Sequence, residues 1–255
     1  MLSGKRIAVV VPAFNEAALI AETLRGIPAF VDRIVVVDDA SVDDTLAHAE
    51  GAACPRTELL RHAENRGVGA AIATGIADAL RNGADVIAVM AGDGQMDPDE
   101  LASVIAPIES GAADFVKGNR FLDPNVARAM PWTRQLGNRV LSFFTRLATG
   151  LAIDDAQCGY VALSRDAAAR LAFDSLWPRY GYPNDLLARV ARERLRLTEI
   201  GVRAVYGSER SGVRLRDALF VVPWVILRGL WTAARRPVHT PDRARGHRHD
   251  LLSDL

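Results

Sequence analysis

A carboxylate and an amide stand two residues apart directly after an apolar run in the middle of the chain. Asp93 and Gln95 follow residues 86–90, which predict a buried strand. In open α/β sheets ligands bind at the carboxyl ends of strands, so we expect both side chains at such an edge. Oxygen ligands of this kind suit Mg²⁺ or Mn²⁺ carrying phosphates. The spacing predicts a metal–diphosphate site, although Asp93-Gly94 also fits an ordinary turn, and Asp97 before Pro98 predicts a helix N-cap.

Two other predicted strands end in side chains that can contact a nucleotide. Residues 7–11 are followed by Pro12, Phe14, Asn15 and Glu16, and residues 34–37 by Asp38 and Asp39. Two adjacent carboxylates repel each other unless a ribose, a base edge or a metal relieves the repulsion. We therefore expect nucleotide contacts here. Glu16 is equally compatible with a first-turn helix acid.

A helix cap is predicted just after the second of these strands. Ser41 and Asp44 have the spacing of a capping box for the helix that follows. If Ser41 fills the cap, Asp39 is left for the nucleotide. Replacing Asp39 should then weaken nucleotide binding with little loss of stability.

Glycines open the next predicted helix, which covers residues 70–80. Gly67 and Gly69 follow a short predicted strand in a G-x-G pattern, which suggests dinucleotide binding. The pattern is incomplete, because Ile72 occupies the third small position and the first strand-to-helix turn lacks it. We therefore interpret Gly67 and Gly69 as residues that let a substrate approach the helix start closely.

Two charged residues, Arg120 and Asp185, are candidates for a catalytic role. Arg120 follows the predicted strand 115–117, where a guanidinium facing Asp93 and Gln95 can grip a diphosphate with two hydrogen bonds. A surface ion pair is the alternative for Arg120. Asp185 precedes a predicted helix over residues 186–194, so it is either that helix's N-cap or an active-site carboxylate.

The elements that must position these residues alternate between strands and helices. This order predicts an α/β fold with a mostly parallel sheet flanked by helices. A chain of 255 residues with 49% hydrophobic content can bury the core of one such domain. We assign residues 1–214 to this domain, 215–236 to an apolar and basic amphipathic helix, and 237–255 to a flexible basic tail.

Composition excludes several classes of partner. The formal net charge is zero, so no overall field attracts nucleic acid. Cys54 and Cys158 match no metal or redox spacing, which indicates a reducing cytosol. We find no signal peptide and no apolar run of bilayer length. Trp224 and Trp231, interleaved with arginines, predict peripheral contact with an anionic membrane surface at its cytoplasmic face; a core helix is the alternative.

The motifs together resemble the family 2 glycosyltransferases of GT-A fold, and in particular the dolichyl- and polyprenyl-phosphate mannosyl- and glucosyltransferases. The resemblance covers residues 5–214 and implies a role for each candidate. Nucleotide contacts are implied for Pro12, Phe14, Asn15, Glu16, Asp38, Asp39 and Gly69; catalysis for Asp93, Arg120 and Asp185; Mg²⁺ or Mn²⁺ ligation for Asp93 and Gln95; and acceptor or phosphate contacts for Arg134, Gln157, Arg210 and Arg214. Ala91 stands where the family carries the first aspartate of its D-x-D motif.

The resemblance implies an inverting transfer of a sugar from a nucleotide-sugar donor to a polyprenyl phosphate at the membrane surface. A second interpretation keeps the fold but gives the sugar to a hydroxyl of a glycan or small molecule, with Asp185 as general base. A third is a nucleotide-binding regulatory domain that has lost catalysis, which Ala91 permits. The oligomeric state is left open.

Overall fold

The computed structural model describes residues 4–126 and 130–203. Its seven strands form one sheet in the order β3-β2-β1-β4-β6-β5-β7. The strands are β1 (Ile7–Ala13), β2 (Arg33–Asp38), β3 (Thr57–Arg61), β4 (Val86–Val89), β5 (Phe115–Asn119), β6 (Val161–Ser164) and β7 (Leu197–Gly201). Only β6 runs antiparallel to its neighbours, so the predicted α/β class with a mostly parallel sheet is confirmed.

Helices connect the strands and cover both faces of the sheet. They are α1 (Ile20–Gly26), α2 (Thr45–Ala52), α3 (Val68–Arg81), α4 (Leu101–Glu109), α5 (Trp132–Thr149), α6 (Arg165–Arg170) and α7 (Tyr182–Arg192). Short 3₁₀ turns lie at Pro98–Glu100, Arg120–Leu122 and Phe173–Ser175. None of the helices in the described part of the chain is long and apolar enough to cross a membrane.

The core forms because the central strands are apolar on both faces. Every residue of β1 and β4 is buried, as parallel sheets covered on both sides require. Helices α1, α2 and α4 pack on one face, where Ile7 and Val9 meet Ile20 and Leu101. Helices α3, α6 and α7 pack on the other, where Val10 meets Ile76. Among the described core clusters, α5 supplies no member.

Within residues 4–126 and 130–203, the predicted strand-end motifs meet at one edge of the sheet. The carboxyl ends of the parallel strands β1 to β4 lie there. The strands β5 and β7 end there too, because β6 is antiparallel to both β4 and β5, and β7 is parallel to β5. The reversed strand β6 begins at this edge, since Val161 pairs with both Val89 and Lys117. Segments far apart in sequence are thereby placed side by side.

Part of the predicted organisation lies outside the described residues. This holds for Arg210 and Arg214, for the proposed helix 215–236 with Trp224 and Trp231, and for the tail 237–255. Those assignments stay predictions.

Candidate active site

The loop after β4 holds Asp93 at the edge of the sheet. The Gly92 amide donates to the Pro12 carbonyl over 3.1 Å, which ties this loop to the end of β1. A Cβ at Gly92 would lie 2.8 Å from the Ile20 Cδ1 methyl, so the Ile20 side chain would have to shift to admit it. Gly94 has a φ of +70°, and the Gln95 amide donates to Asp93 Oδ1 over 3.1 Å. The loop therefore turns back and leaves Asp93 and Gln95 partly exposed.

Asp97 closes the same loop as an N-cap. Its Oδ1 accepts a hydrogen bond of 2.9 Å from the Asp99 amide, at the start of the turn that Pro98 opens. The predicted cap is therefore confirmed.

The donor chemistry at Asp93 and Gln95 fits a hard divalent cation that also binds phosphate. The described residues contain no group of three His, Cys, Asp or Glu able to hold a metal ion. One carboxylate and one amide oxygen suit Mg²⁺ or Mn²⁺ when phosphate oxygens and water complete the coordination. The assignment of Asp93 and Gln95 as ligands stays a prediction.

The loops after β1 and β2 are clamped to each other. The Asn15 amide donates to Ser41 Oγ over 2.9 Å, and Asn15 Oδ1 accepts from the Val42 amide over 3.0 Å. Asn15 and Ala40 have φ of 57° and 61°, a conformation that costs a residue with a Cβ about 1 kcal/mol or more. Such strain is characteristic of functional loops, and it leaves Phe14 exposed beside the clamp.

The predicted capping box is wrong. Ser41 Oγ accepts from Asn15, and the residue before α2 is Asp44, whose side chain makes no cap hydrogen bond. The Thr45 amide at the start of α2 instead donates to Asp43 Oδ1 over 3.1 Å. The local spacing suggested a cap, but the Ser41 hydroxyl accepts its hydrogen bond from the loop after β1 and not from its own helix.

Separate partners relieve the repulsion between the two carboxylates at the end of β2. Asp38 Oδ1 accepts from the Ser41 amide over 3.0 Å, and its Oδ2 lies 3.2 Å from Arg61 Nε, without the alignment of a hydrogen bond. Asp39 is buried and turns the other way. Its carboxylate accepts from His62 Nδ1 at 2.6 Å, the Arg66 amide at 2.9 Å and the Gly67 amide at 2.6 Å.

These contacts give Asp39 a structural task, and a nucleotide contact by Asp39 stays a prediction. We expect Asp39→Ala to lower the free energy of unfolding by about 2–3 kcal/mol, because the buried Gly67 amide, the Arg66 amide and His62 lose their acceptor. This value replaces the expectation of little stability loss, whose premise that Ser41 caps α2 is wrong. Urea denaturation measures the change.

The matched control is Asp44→Ala, since the Asp44 side chain is exposed and makes no cap hydrogen bond. We expect this control to stay within about 0.5 kcal/mol of the original protein. Equal stability of the two variants would contradict the structural role of Asp39.

Gly67 and Gly69 admit a close approach of the chain's own backbone. A Cβ on Gly67 would lie 2.4 Å from the Pro178 carbonyl oxygen, and one on Gly69 would lie 2.1 Å from that of Trp177. The Gly69 amide donates to the Pro178 carbonyl over 2.8 Å. Backbone packing therefore explains both glycines, and the substrate approach and the nucleotide contact of Gly69 stay predictions. They join the start of α3 to the loop that precedes α7.

Arg120 is held by a buried carboxylate that the sequence analysis did not single out. Asp155 Oδ2 accepts from Arg120 Nε at 2.7 Å, and Oδ1 accepts from Nη2 at 2.9 Å. Asp155 is fully buried, so Arg120 is not a surface ion pair. Burial alone would raise the pKa of Asp155, but the hydrogen bonds and charge of Arg120 outweigh it and lower that pKa. The guanidinium is thereby fixed at the end of β5.

Lys117 extends this buried charge network. Its ammonium donates to the Cys158 carbonyl, and burial lowers its pKa although Asp155 and Glu199 oppose the shift. Glu199 on β7 accepts the Asp155 amide over 3.0 Å and so joins the network. Lys117 was detectable as a lysine inside an apolar strand. Asp155 gave no signal that set it apart from its neighbour Asp154.

The turn before β6 is joined to α5 and α7 by hydrogen bonds. Gln157 Nε2 donates to Asn184 Oδ1 over 3.2 Å, and Asn184 Nδ2 donates to Thr145 Oγ1 over 2.7 Å. Arg134 lies partly buried in the first turn of α5. The phosphate contacts assigned to Gln157 and Arg134 stay predictions.

Asp185 lies inside α7 and is bound by its own surroundings. The helix begins at Tyr182 with Gly181 as its N-cap, so the N-cap interpretation of Asp185 is wrong. The buried Asp185 Oδ2 accepts from Arg189 Nε at 3.1 Å and from the Trp177 amide at 2.9 Å. The carboxylate is therefore committed to one turn of helix and the preceding loop.

Tyr182 lies near Asp93 and near the turn before β6, residues 154–160, which we call the acceptor-side turn after the contact predicted for Gln157. Burial, followed by the nearby Cys158 and the charge of Asp93, raises the pKa of its phenol. A Cβ on Gly159 would lie 3.2 Å from the Tyr182 hydroxyl. The sequence gave no reason to single out Tyr182, because only the fold places it there.

The described chain ends beside the Asp93 loop. The Arg203 amide donates to Glu100 Oε1 over 3.0 Å, and its guanidinium pairs with Asp97. The edge thus combines oxygen donors at Asp93 and Gln95, a fixed cation at Arg120 and a polar acceptor-side turn. Such a site can bind a metal–diphosphate and place a second group opposite it.

Comparison with known proteins gives one family. The profile described as "Glycosyl transferase family 2" matches residues 8–171. The UDP-N-acetylglucosamine–dolichyl-phosphate N-acetylglucosaminyltransferase of Methanococcus voltae is 30% identical over 220 residues, covering 80% of this chain and 88% of that protein. The polyprenol monophosphomannose synthase of Mycolicibacterium smegmatis is 28% identical over 248 residues, with 91% of each chain covered.

Solved structures support the same fold. Glucosyl-3-phosphoglycerate synthase from Mycobacterium tuberculosis superimposes with a TM-score of 0.70 at 22% identity, covering 90% of this chain and 81% of that one. The GT-A fold expected from the sequence is therefore confirmed.

Proposed function

The chain belongs to glycosyl transferase family 2, and from this membership we propose that it transfers a sugar from a nucleotide-sugar donor to a polyprenyl phosphate at the cytoplasmic face of a membrane. That it is a glycosyltransferase follows from the family and from its named relatives. The observation that carries the acceptor class is the state of Asp185. Its Oδ2 is held by Arg189 and the Trp177 amide, so this oxygen is poorly placed to take a proton from a hydroxyl.

The donor half of the reaction uses the edge formed by β1, β2 and β4. The clamped loops beside Phe14, Asn15 and Asp38 offer a surface for the nucleotide. Asp93 and Gln95 would hold Mg²⁺ or Mn²⁺, which neutralises the charge that develops on the leaving diphosphate. A structure of the glucosyl-3-phosphoglycerate synthase contains Mn²⁺ and UDP, which supports this cofactor class.

The phosphate groups would meet a cation that needs no rearrangement. Asp155 already fixes the Arg120 guanidinium. Arg120 can therefore stabilise the charge that develops on the leaving diphosphate without losing side-chain freedom during the reaction. The Arg203 amide donates to Glu100 beside the Asp93 loop. Arg210 and Arg214 lie outside the described residues, and their phosphate contacts belong to this proposal as the resemblance implies them.

The acceptor half needs no general base if the acceptor is a phosphate. A phosphate monoester is ionised near neutral pH and can attack the anomeric carbon directly. Sugar transfer to a hydroxyl, as in the second interpretation, requires a positioned base. Asp185 would be that base, and its Oδ2 would first have to leave Arg189.

Substitution of Asp185 separates these two acceptor classes. With a phosphate acceptor, we expect Asp185→Asn to lower turnover less than about tenfold, whereas loss of a general base costs about a hundred- to ten-thousandfold. Arg214→Ala should be the more damaging change, because it removes a positive charge from the phosphate site. Turnover of Asp185→Asn near background, with near-normal turnover of Arg214→Ala, would favour the hydroxyl acceptor.

The direct test supplies several radiolabelled sugar nucleotides with a detergent-dispersed polyprenyl phosphate. Label should enter the organic phase only when the lipid is present, and removal of divalent cations with EDTA should stop the transfer. Label that enters a water-soluble glycan instead would favour the second interpretation. Nucleotide binding without transfer to either acceptor class would favour the regulatory domain.

A further inference from the structure

Arg203 joins the end of β7 to the end of the Asp93 loop, which comprises residues 90–97. The Arg203 amide donates to both oxygens of the Glu100 carboxylate, over 3.0 and 3.1 Å. Its Nε lies 3.4 Å from Glu100 Oε1, and its guanidinium pairs with Asp97. Asp97 is the last residue of the loop, and Glu100 lies in the 3₁₀ turn that follows it. Arg203 therefore ties this loop to a strand 103 positions away from Glu100 in sequence.

Contacts at both ends determine the path of this loop. Near its start, the Gly92 amide donates to the Pro12 carbonyl over 3.1 Å. At its end, the Tyr160 hydroxyl donates to the Asp97 carbonyl over 3.2 Å, and Arg203 pairs with the Asp97 side chain. The two predicted metal ligands lie between these attachments. Their placement at the edge of the sheet therefore depends on how firmly the end at Asp97 is held.

The acidic side chains at this end of the loop need a cation. The Asp97 and Glu100 side chains are only 18% and 19% exposed. Two such carboxylates three residues apart repel each other, and a cation that binds both relieves the repulsion. Arg203 supplies this cation, and a planar guanidinium fixes the positions of its carboxylate partners. The charge pair therefore restrains Asp97, which lies two residues from Gln95.

We propose that Arg203 is a positioning residue for the metal–diphosphate site and that it acts through Asp97. The proposal rests on the proposed function in one respect, because it takes Asp93 and Gln95 as the ligands of the divalent cation. One carboxylate and one amide give the protein little charge with which to hold the ion. The affinity of the site should therefore depend on both oxygens being correctly placed before the ion arrives.

Two other roles for Arg203 would give different measurements. If Arg203 bound the diphosphate directly, its loss would weaken nucleotide binding with or without metal. If Arg203 only stabilised the fold, its loss would lower the melting temperature and leave the metal dependence of nucleotide binding unchanged. Loss of a positioning residue instead raises the metal concentration that nucleotide binding requires.

Calorimetric titration of the full chain with UDP and with GDP, in EDTA and at increasing Mn²⁺ concentrations, tests the proposal. We expect Arg203→Gln to raise the Mn²⁺ concentration that gives half-maximal strengthening of binding about three- to fivefold, the size typical of a partly exposed charge pair. The affinity measured in EDTA should not change. Arg203→Lys should give a smaller shift, because lysine keeps the charge but loses the planar fork.

Arg196 provides a matched control at the other end of β7. Its amide donates to Asp114 Oδ2 over 2.9 Å and its guanidinium pairs with Asp114 over 2.7 Å, so it repeats the contacts of Arg203 away from the Asp93 loop. The Arg196 and Arg203 side chains are 59% and 57% exposed. Arg196→Gln should therefore lower the melting temperature about as much as Arg203→Gln but leave the Mn²⁺ dependence unchanged.

Asp97→Asn tests the route through the loop. Asparagine can still accept the Asp99 amide, so the N-cap is kept and the charge pair with Arg203 is weakened. We expect the double variant Asp97→Asn/Arg203→Gln to need no more Mn²⁺ than Arg203→Gln alone, since both changes break the same contact. Effects that multiply in the double variant would show that Arg203 does not act through Asp97 and would overturn the proposal.

Three further results would overturn the positioning role: unchanged Mn²⁺ dependence in Arg203→Gln, an equal shift in Arg196→Gln, or an equal loss of affinity in EDTA. Transfer to polyprenyl phosphate keeps this proposal separate from the proposed function. Lipid-linked label from an original protein whose nucleotide binding does not respond to Mn²⁺ refutes the positioning role alone. A shifted Mn²⁺ dependence in Arg203→Gln, without lipid-linked label from the original protein, refutes the proposed acceptor alone.

Discussion

Replacing Asp93 by asparagine is expected to lower sugar-transfer turnover about a thousandfold and to leave the melting temperature nearly unchanged. Asparagine keeps the side chain's size but removes the negative charge that would hold a divalent cation. Losing several kcal/mol of transition-state stabilisation corresponds to this factor, since about 1.4 kcal/mol is tenfold in rate. Asp93 is partly exposed and packs little, so the fold should survive.

Nucleotide affinity is a second measurement, and it separates an effect on metal binding from an effect on the reaction. Affinity for a nucleoside diphosphate should increase with Mg²⁺ or Mn²⁺ in the original protein and respond much less in Asp93→Asn. Asp99→Asn is the matched control, because Asp99 is an exposed carboxylate beside the same loop. Original turnover in Asp93→Asn, or an equal loss in Asp99→Asn, would remove Asp93 from the candidate site.

Asp155→Ala is expected to lower the free energy of unfolding by about 3–5 kcal/mol, the largest stability effect that we predict. The change leaves Arg120 without its bidentate partner and removes a carboxylate near the fully buried Lys117. Breaking a buried ion pair from one side is costly because the remaining charge cannot recover its hydration. Chemical denaturation measures the loss.

The control for this prediction lies at the other end of β5, because Arg120 follows that strand and Asp114 precedes it. Asp114 pairs bidentately with Arg196, but both side chains are partly exposed to water. Asp114→Ala should therefore cost about 1 kcal/mol or less. If the two substitutions destabilise the protein equally, burial is not what makes the Asp155 pair important.

The sequence was informative about strands and much less so about side-chain partners. Apolar runs predicted β1, β2, β4 and β5 because buried parallel strands have few alternatives. The same logic located Asp93, Gln95 and Arg120 at one edge, since strand ends define that edge. Helix boundaries were less certain, and α7 begins three residues before Asp185 rather than after it.

What the sequence could not predict depends on contacts between distant segments. Ser41 serves Asn15 instead of its own helix, and Gly69 meets Trp177 and Pro178, more than a hundred residues away. No local pattern encodes such pairs. Helix α5 is a similar case, because it buries Ser142 and Thr145 and exposes Phe143 and Leu147. Periodicity identifies an amphipathic helix without saying which side faces the domain.

The reversed strand β6 has an evolutionary consequence. Because β5 and β6 are antiparallel neighbours, the chain leaves the sheet at Arg120 and returns to the same edge at Tyr160, where the Tyr160 carbonyl accepts the Gly118 amide over 2.8 Å. The intervening segment, which includes α5, can therefore vary in length without changing the strand order, provided that Asp155 still reaches Arg120. Under the proposed function, a change in this segment would alter the acceptor side and leave the nucleotide side on β1, β2 and β4 in place. Donor recognition and acceptor recognition could then change independently.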